Sequence, residues 1–407
     1  MPIVTLFSGV FCGKNPVLEE LVASTGYKQV TDDDVVKRVE ALTQAPASKI
    51  RRAFTGRTSV FNKFTHEKEC SIAHMRLALA EMLVEDQLII DGFSGLLVPE
   101  TIDHVLRVCL IAEMPYRIQR AMQTASLAEK DAVKIIRQED NDRAAWVDSL
   151  YSKQDPWEEE LYDMVIPMNS TDKNRAVALI EENLLKAAVH RTKQSEKAQQ
   201  DFLVASRAEA ILCKAGHDVM VEVDDGAVVV NINKHVLMLS RLEEELKSIA
   251  AEVPGVTSVQ TRVGKNFHKA NIYRKHDFEI PSRVLLVDDE REFVQTLSER
   301  LQLRDMGSAI AYDGESALTI VKEDDPEVII IDLKMPGIDG MEVLKKVKKE
   351  RPEIEVIILT GHGSESDRQM CMDLGAFDYL QKPVDINHLS QVLKDAHARI
   401  RGKIQEG

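Results

Sequence analysis

The C-terminal third of the chain repeats one pattern, a buried strand followed by a helix, five times. The strand candidates are VLLVDD, SAIAY, VIIIDL, EVIILT and FDYLQ, and each precedes a helical pattern of apolar residues. Parallel strands need such crossover helices, which cover both faces of the sheet. The alternation therefore predicts a doubly wound, five-stranded parallel sheet.

The residues that end these strands are chemically unusual as a set. The carboxyl ends of parallel strands meet at one edge of a sheet, and ligands bind there. The strand ends carry Asp288, Asp289, Asp332, Thr360 and Lys382, the last followed by Pro383. Carboxylate and carbonyl oxygens are the ligands that Mg²⁺ prefers. We therefore expect a Mg²⁺ site made of Asp288, Asp289, Asp332 and the backbone carbonyl of Lys334.

A metal at this edge would permit a specific reaction. With the repulsion between acids and phosphate neutralised, a carboxylate can attack phosphorus in line and become an acyl phosphate. We predict Asp332 as the nucleophile, with Lys382 and Thr360 contacting the phosphoryl oxygens. For any one acid taken alone, a helix N-cap or a solvated loop position is the more common role. Five such residues at matching strand ends argue against coincidence.

Residues 281–402 resemble a two-component response-regulator receiver domain, which has a flavodoxin-like fold. The matching motifs are the Asp288-Asp289 pair, IIIDLKMPGIDG around Asp332, ILTGHG and FDYLQKP; Tyr379 matches the aromatic switch position. The resemblance implies phosphotransfer to Asp332 from a sensor histidine kinase or a phosphotransfer protein, followed by repacking of Thr360 and Tyr379. It also implies autodephosphorylation and a cis peptide bond before Pro383.

The receiver resemblance further implies a dimer interface. Receivers commonly pair through their fourth and fifth helices, predicted here at about 365–374 and 386–399. We therefore expect a phosphorylation-promoted homodimer.

The N-terminus, VTLFSGVFCGKNP, has the order strand, glycine loop and helix that suits phosphate binding. A full phosphate loop reads G-x-x-x-x-G-K-[ST]. Here the loop between Gly9 and Gly13 is one residue short, and Asn15 replaces the hydroxyl residue. The pattern predicts a degenerate loop in which Gly9, Gly13 and Lys14 are the candidate ATP-binding residues.

Residues 1–197 resemble the cytidylate-kinase-like family of nucleoside-monophosphate kinases. The resemblance rests on the order of LIIDGFSG, VLRVCLIAEMPYRIQRAM, KIIRQEDNDRAAWV and LYDMVIPMNS, and it implies phosphate contacts from Arg117, Arg137 and Arg143. Phe93 and Ser94 stand where the family has an arginine between two glycines. An active kinase, a nucleotide sensor and a catalytically dead scaffold all remain open, as does a solvated helix face for the arginines.

Residues 198–265 resemble a BON-type module, a small α+β unit, and 266–280 are predicted to be a linker. The stretch from Ala176 to Gly216 is predicted to be one long helix or two helices end to end. After it, two β-rich runs meet at Asp225-Gly226, which predicts a hairpin over 219–232. We favour a structural or interaction role for this module over lipid contact, since its helix is acidic.

Composition limits the function classes. The 407 residues carry a net charge of −15, which argues against nucleic-acid binding over the whole surface, and no helix-turn-helix follows the receiver-like segment. The five cysteines are scattered without a C-x-x-C pair, a pattern typical of reduced thiols in the cytosol. With no signal peptide and no membrane span in the sequence, we expect a cytoplasmic protein.

Together these observations predict a multidomain α/β response regulator whose receiver controls a kinase-like sensor or output domain. The first alternative is an active cytidylate or nucleoside-monophosphate kinase gated by the receiver. The second is a non-catalytic interaction scaffold.

Overall fold

In the computed structural model, residues 2–233, 239–264, 280–361 and 363–406 are described, the last four without their side chains. They belong to two compact units, one of Met1–Thr58 with Lys68–Tyr273 and the other of Ser59–Glu67 with Arg274–Gly407. The predicted linker, 266–280, lies outside the described residues apart from Ile280. No helix among the described residues combines the length and apolarity needed to cross a bilayer.

The first unit contains a five-stranded parallel sheet in the order β2-β3-β1-β4-β5. Its strands are β1 (Ile3–Ser8), β2 (Lys28–Thr31), β3 (Leu88–Asp91), β4 (Val105–Ile111) and β5 (Met164–Pro167). β1 and β3 are buried along their whole length, as expected for inner strands covered on both faces. β2 was not predicted, because Val30 is its one buried residue and its sequence carries little apolar pattern.

Helices surround this sheet. They are α1 (Lys14–Thr25), α2 (Asp32–Thr43), α3 (Ala47–Arg52), α5 (Glu67–Met82), α6 (Met114–Ala125), α7 (Glu129–Tyr151), α8 (Lys173–Leu184) and α9 (Lys193–Lys214), while α4 (Asn62–Thr65) belongs to the second unit. The stretch from Ala176 to Gly216 thus forms two helices, separated by a short 3-10 turn at Ala187–Val189. α9 contributes to two apolar cores. Phe202 packs in a core of the five-stranded sheet, and Leu212 packs in the core of the small module that follows.

That module contains β6 (Met220–Asp224), β7 (Ala227–Ile232), α10 (Leu239–Ala251) and β8 (Ser258–Val263), with the sheet order β6-β7-β8. β6 and β7 form the predicted hairpin, in which Asp224 pairs with Ala227. Asp225 and Gly226 both have positive φ, as a two-residue hairpin turn requires. The BON-type assignment of the module stays a prediction.

The second unit confirms the doubly wound sheet, with the strand order β10-β9-β11-β12-β13. Its elements are β9 (Val284–Val287), α11 (Arg291–Gln302), β10 (Ser308–Ala311), α12 (Gly314–Asp324), β11 (Val328–Ile331), α13 (Gly340–Glu350), β12 (Glu355–Thr360), α14 (Glu365–Asp373), β13 (Asp378–Gln381) and α15 (Ile386–Glu406). Alternate residues of each strand enter different apolar clusters: Leu285 joins one, and Leu286 joins the other. Two helical layers therefore cover the sheet.

The cysteines depart from the sequence-based expectation. Cys70 on α5 and Cys213 on α9 form a disulfide, although the scattered pattern suggested reduced thiols throughout. Cys12, Cys109 and Cys371 are free and buried. Sequence spacing could not predict the pair, because its partners lie 143 residues apart and meet only through the packing of two helices.

We expect the disulfide to be detected by alkylation of the denatured chain. Without reductant, three of the five cysteines should react, and with reductant all five should react. The Cys70→Ser variant should expose Cys213, which gives four reactive cysteines before reduction. A crosslink closing so long a loop stabilises a fold by about 4 to 5 kcal/mol in the chain-entropy model, so this variant should also unfold at lower urea concentration. Five reactive cysteines in the unreduced wild type would contradict the pairing.

Candidate functional site

The second unit brings its predicted acids together at one rim of the sheet. Asp288 and Asp289 follow β9, and Asp332 follows β11, the strand beside it. One carboxylate oxygen from each residue lies within 4.8 Å of the others. Asp288 and Asp332 are buried, whereas Asp289 is exposed. The cluster therefore has a buried floor and one side open to solvent.

Lys382 supplies the positive charge of this rim. Its Nζ lies 2.7 Å from Asp288 Oδ2 and 3.1 Å from Asp332 Oδ2, and a third contact of 3.1 Å reaches Glu290. The lysine follows β13, and the bond to Pro383 is cis, as predicted. One ammonium group therefore holds together acids from two other strand ends.

Burial and hydrogen bonding set the pKa values of Asp288 and Lys382. Burial raises the pKa of Asp288, although hydrogen bonds from Lys382 and from the Glu290 amide oppose that shift. Burial alone would lower the pKa of Lys382, but its hydrogen bonds to Asp288 and Asp332 raise it above the ordinary lysine value. The lysine is therefore charged at neutral pH and stabilises the acids around it.

The loop after β11 is shaped around Asp332. The amide of Lys334 donates a 3.4 Å hydrogen bond to Asp332 Oδ1, which folds the loop back over the carboxylate. Gly340 begins α13 directly against this turn, where an added Cβ would lie 2.0 Å from the carbonyl oxygen of Asp332. A larger residue at position 340 would displace the nucleophile candidate.

Thr360 and Tyr379 lie on neighbouring strands, β12 and β13, and both are buried. The Tyr379 hydroxyl has no hydrogen-bond partner within the described part of the chain, and burial raises its pKa. It lies so close to Gly363 that an added Cβ there would clash with the hydroxyl at 1.7 Å. Sequence reasoning missed Gly363 and Glu290, because only the packing shows which loop residues meet Tyr379 and Lys382.

The donor set of the rim fits a hard divalent cation. Mg²⁺ is bound by one or two carboxylates together with water or phosphate oxygens. Three carboxylates, one of them exposed, offer those ligands, while the single ammonium leaves the cluster with net negative charge. Asp288, Asp289 and Asp332 are the side chains that would hold the ion.

The N-terminal loop of the first unit is arranged differently. α1 begins at Lys14, and Gly13, its N-cap, has φ of 85°. The Lys14 Nζ pairs with Asp91 Oδ1 at 2.6 Å, at the end of β3. An added Cβ at Gly9 would lie 2.8 Å from Cys12 Sγ, so the cysteine side chain covers that glycine.

The two buried arginines bind the loop itself. Arg117 Nε donates to the carbonyl of Val10 at 2.8 Å, and its two terminal nitrogens form a bidentate pair with Asp140 at 2.8 and 2.7 Å. Arg143 Nε donates to the carbonyl of Ser8 at 2.8 Å, and its Nη1 pairs with Glu139. The arginines thus bind backbone oxygens and acids of the chain.

The turn at Phe93 and Ser94 also binds an acid of the same unit. The amides of Phe93 and Ser94 and the Ser94 hydroxyl all donate to the carboxylate of Asp32, at 2.9, 2.8 and 2.6 Å. Burial raises the pKa of Asp32, and these donors act against the rise. The turn that replaces the family's arginine therefore binds a carboxylate of the chain itself.

These contacts make the first unit a poor fit to nucleotide phosphates. Lys14, Arg117 and Arg143 are already neutralised by Asp91, Asp140 and Glu139. Arg137 is exposed on α7. Gly9 and Arg117 line a cleft of about 320 Å³ beside the loop, together with Cys12, Glu113 and Trp157. Nucleotide binding by this set of residues stays a prediction.

Comparison with known proteins agrees with both parts of the fold. Residues 284–394 match the response regulator receiver domain, and residues 3–170 match the cytidylate kinase-like family. The chain joins a receiver domain to a cytidylate kinase-like domain. The receiver domain carries the acidic rim, and the cytidylate kinase-like domain carries the internally paired loop.

Three similar proteins match the receiver domain. Over 110 residues, which are 27% of this chain and 48% of the relative, the chain is 34% identical to the response regulator MprA of Mycolicibacterium vanbaalenii. It therefore spans about half the length of that curated relative. A receiver domain protein from Clostridium thermocellum is 36% identical, covering 29% of this chain and 95% of that one, with a TM-score of 0.28. A CheY-like receiver from Methanospirillum hungatei is 25% identical, covering 30% and 98%, with a TM-score of 0.30.

Mg²⁺ should bind the receiver domain through its acidic rim. In calorimetric titrations of the full chain, Asp289→Asn should weaken Mg²⁺ binding by roughly tenfold or more, because it removes a ligand. Affinity should also fall at mildly acidic pH, because the raised pKa of Asp288 brings its protonation closer to neutrality and a proton then competes with the metal. Asp395→Asn, the same change at an exposed position on α15, is the control. Equal affinities of the two variants would contradict the assignment.

The internal pairs of the cytidylate kinase-like domain should contribute to its stability. Arg117→Met leaves Asp140 without its partner, and we expect the free energy of unfolding to fall by about 2 to 3 kcal/mol for this partly buried pair. The exposed control Arg137→Met should change it by less than about 0.5 kcal/mol. Urea denaturation followed by tryptophan fluorescence reports on this unit alone, because both tryptophans, Trp146 and Trp157, lie in it. Equal urea midpoints of Arg117→Met and Arg137→Met would show that the Arg117–Asp140 pair does not stabilise this unit.

Proposed function

We propose that this protein is a two-component response regulator that accepts a phosphoryl group on Asp332. The observation that carries the proposal is the placement of the Lys382 ammonium against Asp332 and Asp288, with Asp289 exposed beside them. A sensor histidine kinase or a phosphotransfer protein would be the donor.

The reaction uses the carboxylate of Asp332 as nucleophile. A carboxylate oxygen forms a bond to phosphorus as the phosphorus–nitrogen bond of a phosphohistidine breaks, and the departing imidazole takes up a proton. Lys382, already 3.1 Å from Asp332, then pairs with the phosphoryl oxygens. Thr360, at the end of β12, would donate its hydroxyl to one of them. Mg²⁺ held by the three acids and the Lys334 carbonyl would neutralise charge on the transferred group.

The buried Tyr379 is a side chain that could change position when Asp332 is phosphorylated. Its hydroxyl gains no hydrogen bond among the described residues in its present position beside Gly363, so little holds it there apart from packing. Movement of Thr360 toward a phosphoryl group would open space on the adjacent strand. We propose that Tyr379 repacks in response.

The cytidylate kinase-like domain is proposed to act as a non-catalytic partner of the receiver. Support comes from the internal neutralisation of Lys14, Arg117 and Arg143. The proposal keeps the predicted domains: 1–197 kinase-like, 198–265 BON-like, 266–280 linker and 281–402 receiver. It also keeps the cytoplasmic location, the absence of direct DNA binding, and a homodimer through α14 and α15, where Met370 and Met372 of α14 are exposed.

Phosphorylation of the full chain tests the proposal. Incubation with acetyl phosphate and Mg²⁺ should place a hydroxylamine-sensitive phosphate on the wild type, detected by intact mass. Asp332→Asn should abolish it, because an amide cannot attack phosphorus, and omission of Mg²⁺ should do the same. Asp339→Asn, in the same loop but acting as the N-cap of α13, should leave labelling unchanged.

Two results would overturn parts of this assignment. Labelling of Asp332→Asn to the wild-type level would exclude Asp332 as the acceptor. Transfer of the γ-phosphate of ATP to CMP, abolished by Lys14→Ala, would replace the non-catalytic partner by an active kinase.

A further inference from the structure

A short segment of the cytidylate kinase-like domain packs as part of the receiver unit. Residues Ser59–Glu67 belong to the second unit, although the chain up to Thr58 and from Lys68 onward belongs to the first. The family match over 3–170 runs through these residues, so by sequence they are part of the kinase-like domain. Sequence and packing thus assign the same segment to different parts of the protein.

Phe61 is the centre of this packing. Its side chain is fully buried and joins the apolar cluster formed by the receiver, with Leu285 of β9, Ala311 of β10 and Val321 of α12 among its members. An aromatic ring of this size buries roughly 150 Å² or more of apolar surface. Its neighbour Val60 remains 42% exposed, so the two adjacent side chains differ fully in burial.

Two more contacts hold the segment against the beginnings of the receiver strands. Phe64 lies over Gly307, the residue before β10, where an added Cβ would come within 2.7 Å of Phe64 Cγ. Glu67 pairs with Arg283, the residue before β9, at 3.3 Å. These positions are at the opposite end of the strands from Asp332, so the segment leaves the phosphorylation rim open.

We propose that Ser59–Glu67 is a docking segment through which the receiver and the cytidylate kinase-like domain are coupled. The segment cannot leave the receiver without exposing the Phe61 ring. Its last residue, Glu67, is also the first residue of α5, which continues to Met82. A change in how the receiver holds the segment therefore acts on the start of a helix of the kinase-like domain, and coupling of this kind is reciprocal. Its dependence on phosphorylation rests on the proposed function, whereas the docking itself does not.

Hydrogen exchange with mass spectrometry on the full, unphosphorylated chain tests the docking. Phe61→Ala should raise exchange about tenfold or more in the segment and in β9 and β10, because it removes a buried ring from their shared cluster. Val60→Ala is the matched control and should leave these strands unchanged. Tryptophan emission, which arises from Trp146 and Trp157, should stay that of the wild type and so show that the first unit is folded. Unchanged exchange in β9 and β10 would overturn the docking.

A second variant covers a failure of Phe61→Ala to fold. Phe61→Leu keeps most of the apolar volume and should give a smaller increase in the same strands. Exchange in β9 and β10 that stays at the wild-type level in Phe61→Leu, as in Val60→Ala, would count against the proposal.

Phosphorylation tests the coupling separately. After treatment with acetyl phosphate and Mg²⁺, exchange in α5 should change in the wild type but not in Phe61→Ala. Unchanged exchange in a wild type whose mass shows phosphate on Asp332 would overturn the coupling. Failure to phosphorylate Asp332 would instead overturn the proposed function and leave the docking result from the unphosphorylated chain in force.

Discussion

One buried ammonium group organises the receiver domain's rim. Asp288 and Asp332 are nearly removed from solvent, and two such carboxylates side by side would repel each other strongly without a cation. Lys382 bonds to both, and pairing keeps it charged despite its own burial. Because each of the three residues ends a different strand, the order and register of the sheet are what bring them together. The chemistry proposed for Asp332 depends on this pairing.

The two parallel sheets of the chain differ in how the charged residues at their candidate phosphate sites are paired. At the receiver rim, Asp289 is exposed and three carboxylates face one lysine. The cluster therefore keeps a net negative charge, which favours the binding of a cation. At the N-terminal loop, Arg117, Arg143 and Lys14 are matched by acids, and Asp32 fills the amides of Phe93 and Ser94. The cytidylate kinase-like domain thus carries its candidate phosphate-binding charges paired internally.

Much of the site was predictable because parallel strands align their carboxyl ends. The five strand-end residues, the hairpin at Asp225-Gly226 and the sheet of the receiver domain all follow from local patterns. β2, the Cys70–Cys213 pair, the Asp91 partner of Lys14 and the Asp140 partner of Arg117 were missed. Each of these depends on which distant segments meet, and a short or polar segment carries no periodic signal of its partner. Asp91 illustrates this, since its sequence position says nothing about Lys14 until β3 and α1 are placed together.

The sequence by itself determined that this chain has a doubly wound sheet with an acid, hydroxyl and lysine set at its rim, because strand periodicity and strand-end position are local properties. Only the tertiary structure decided which charged side chains are exposed and which are paired. Asp289 remains exposed, while Lys14 is paired with Asp91 and Arg117 with Asp140, which lie 77 and 23 residues away along the chain. It also decided that Phe61 belongs to the receiver's core. The physical reason is that burial and charge pairing are set by contacts between distant segments, and no stretch of sequence contains both partners of such a contact.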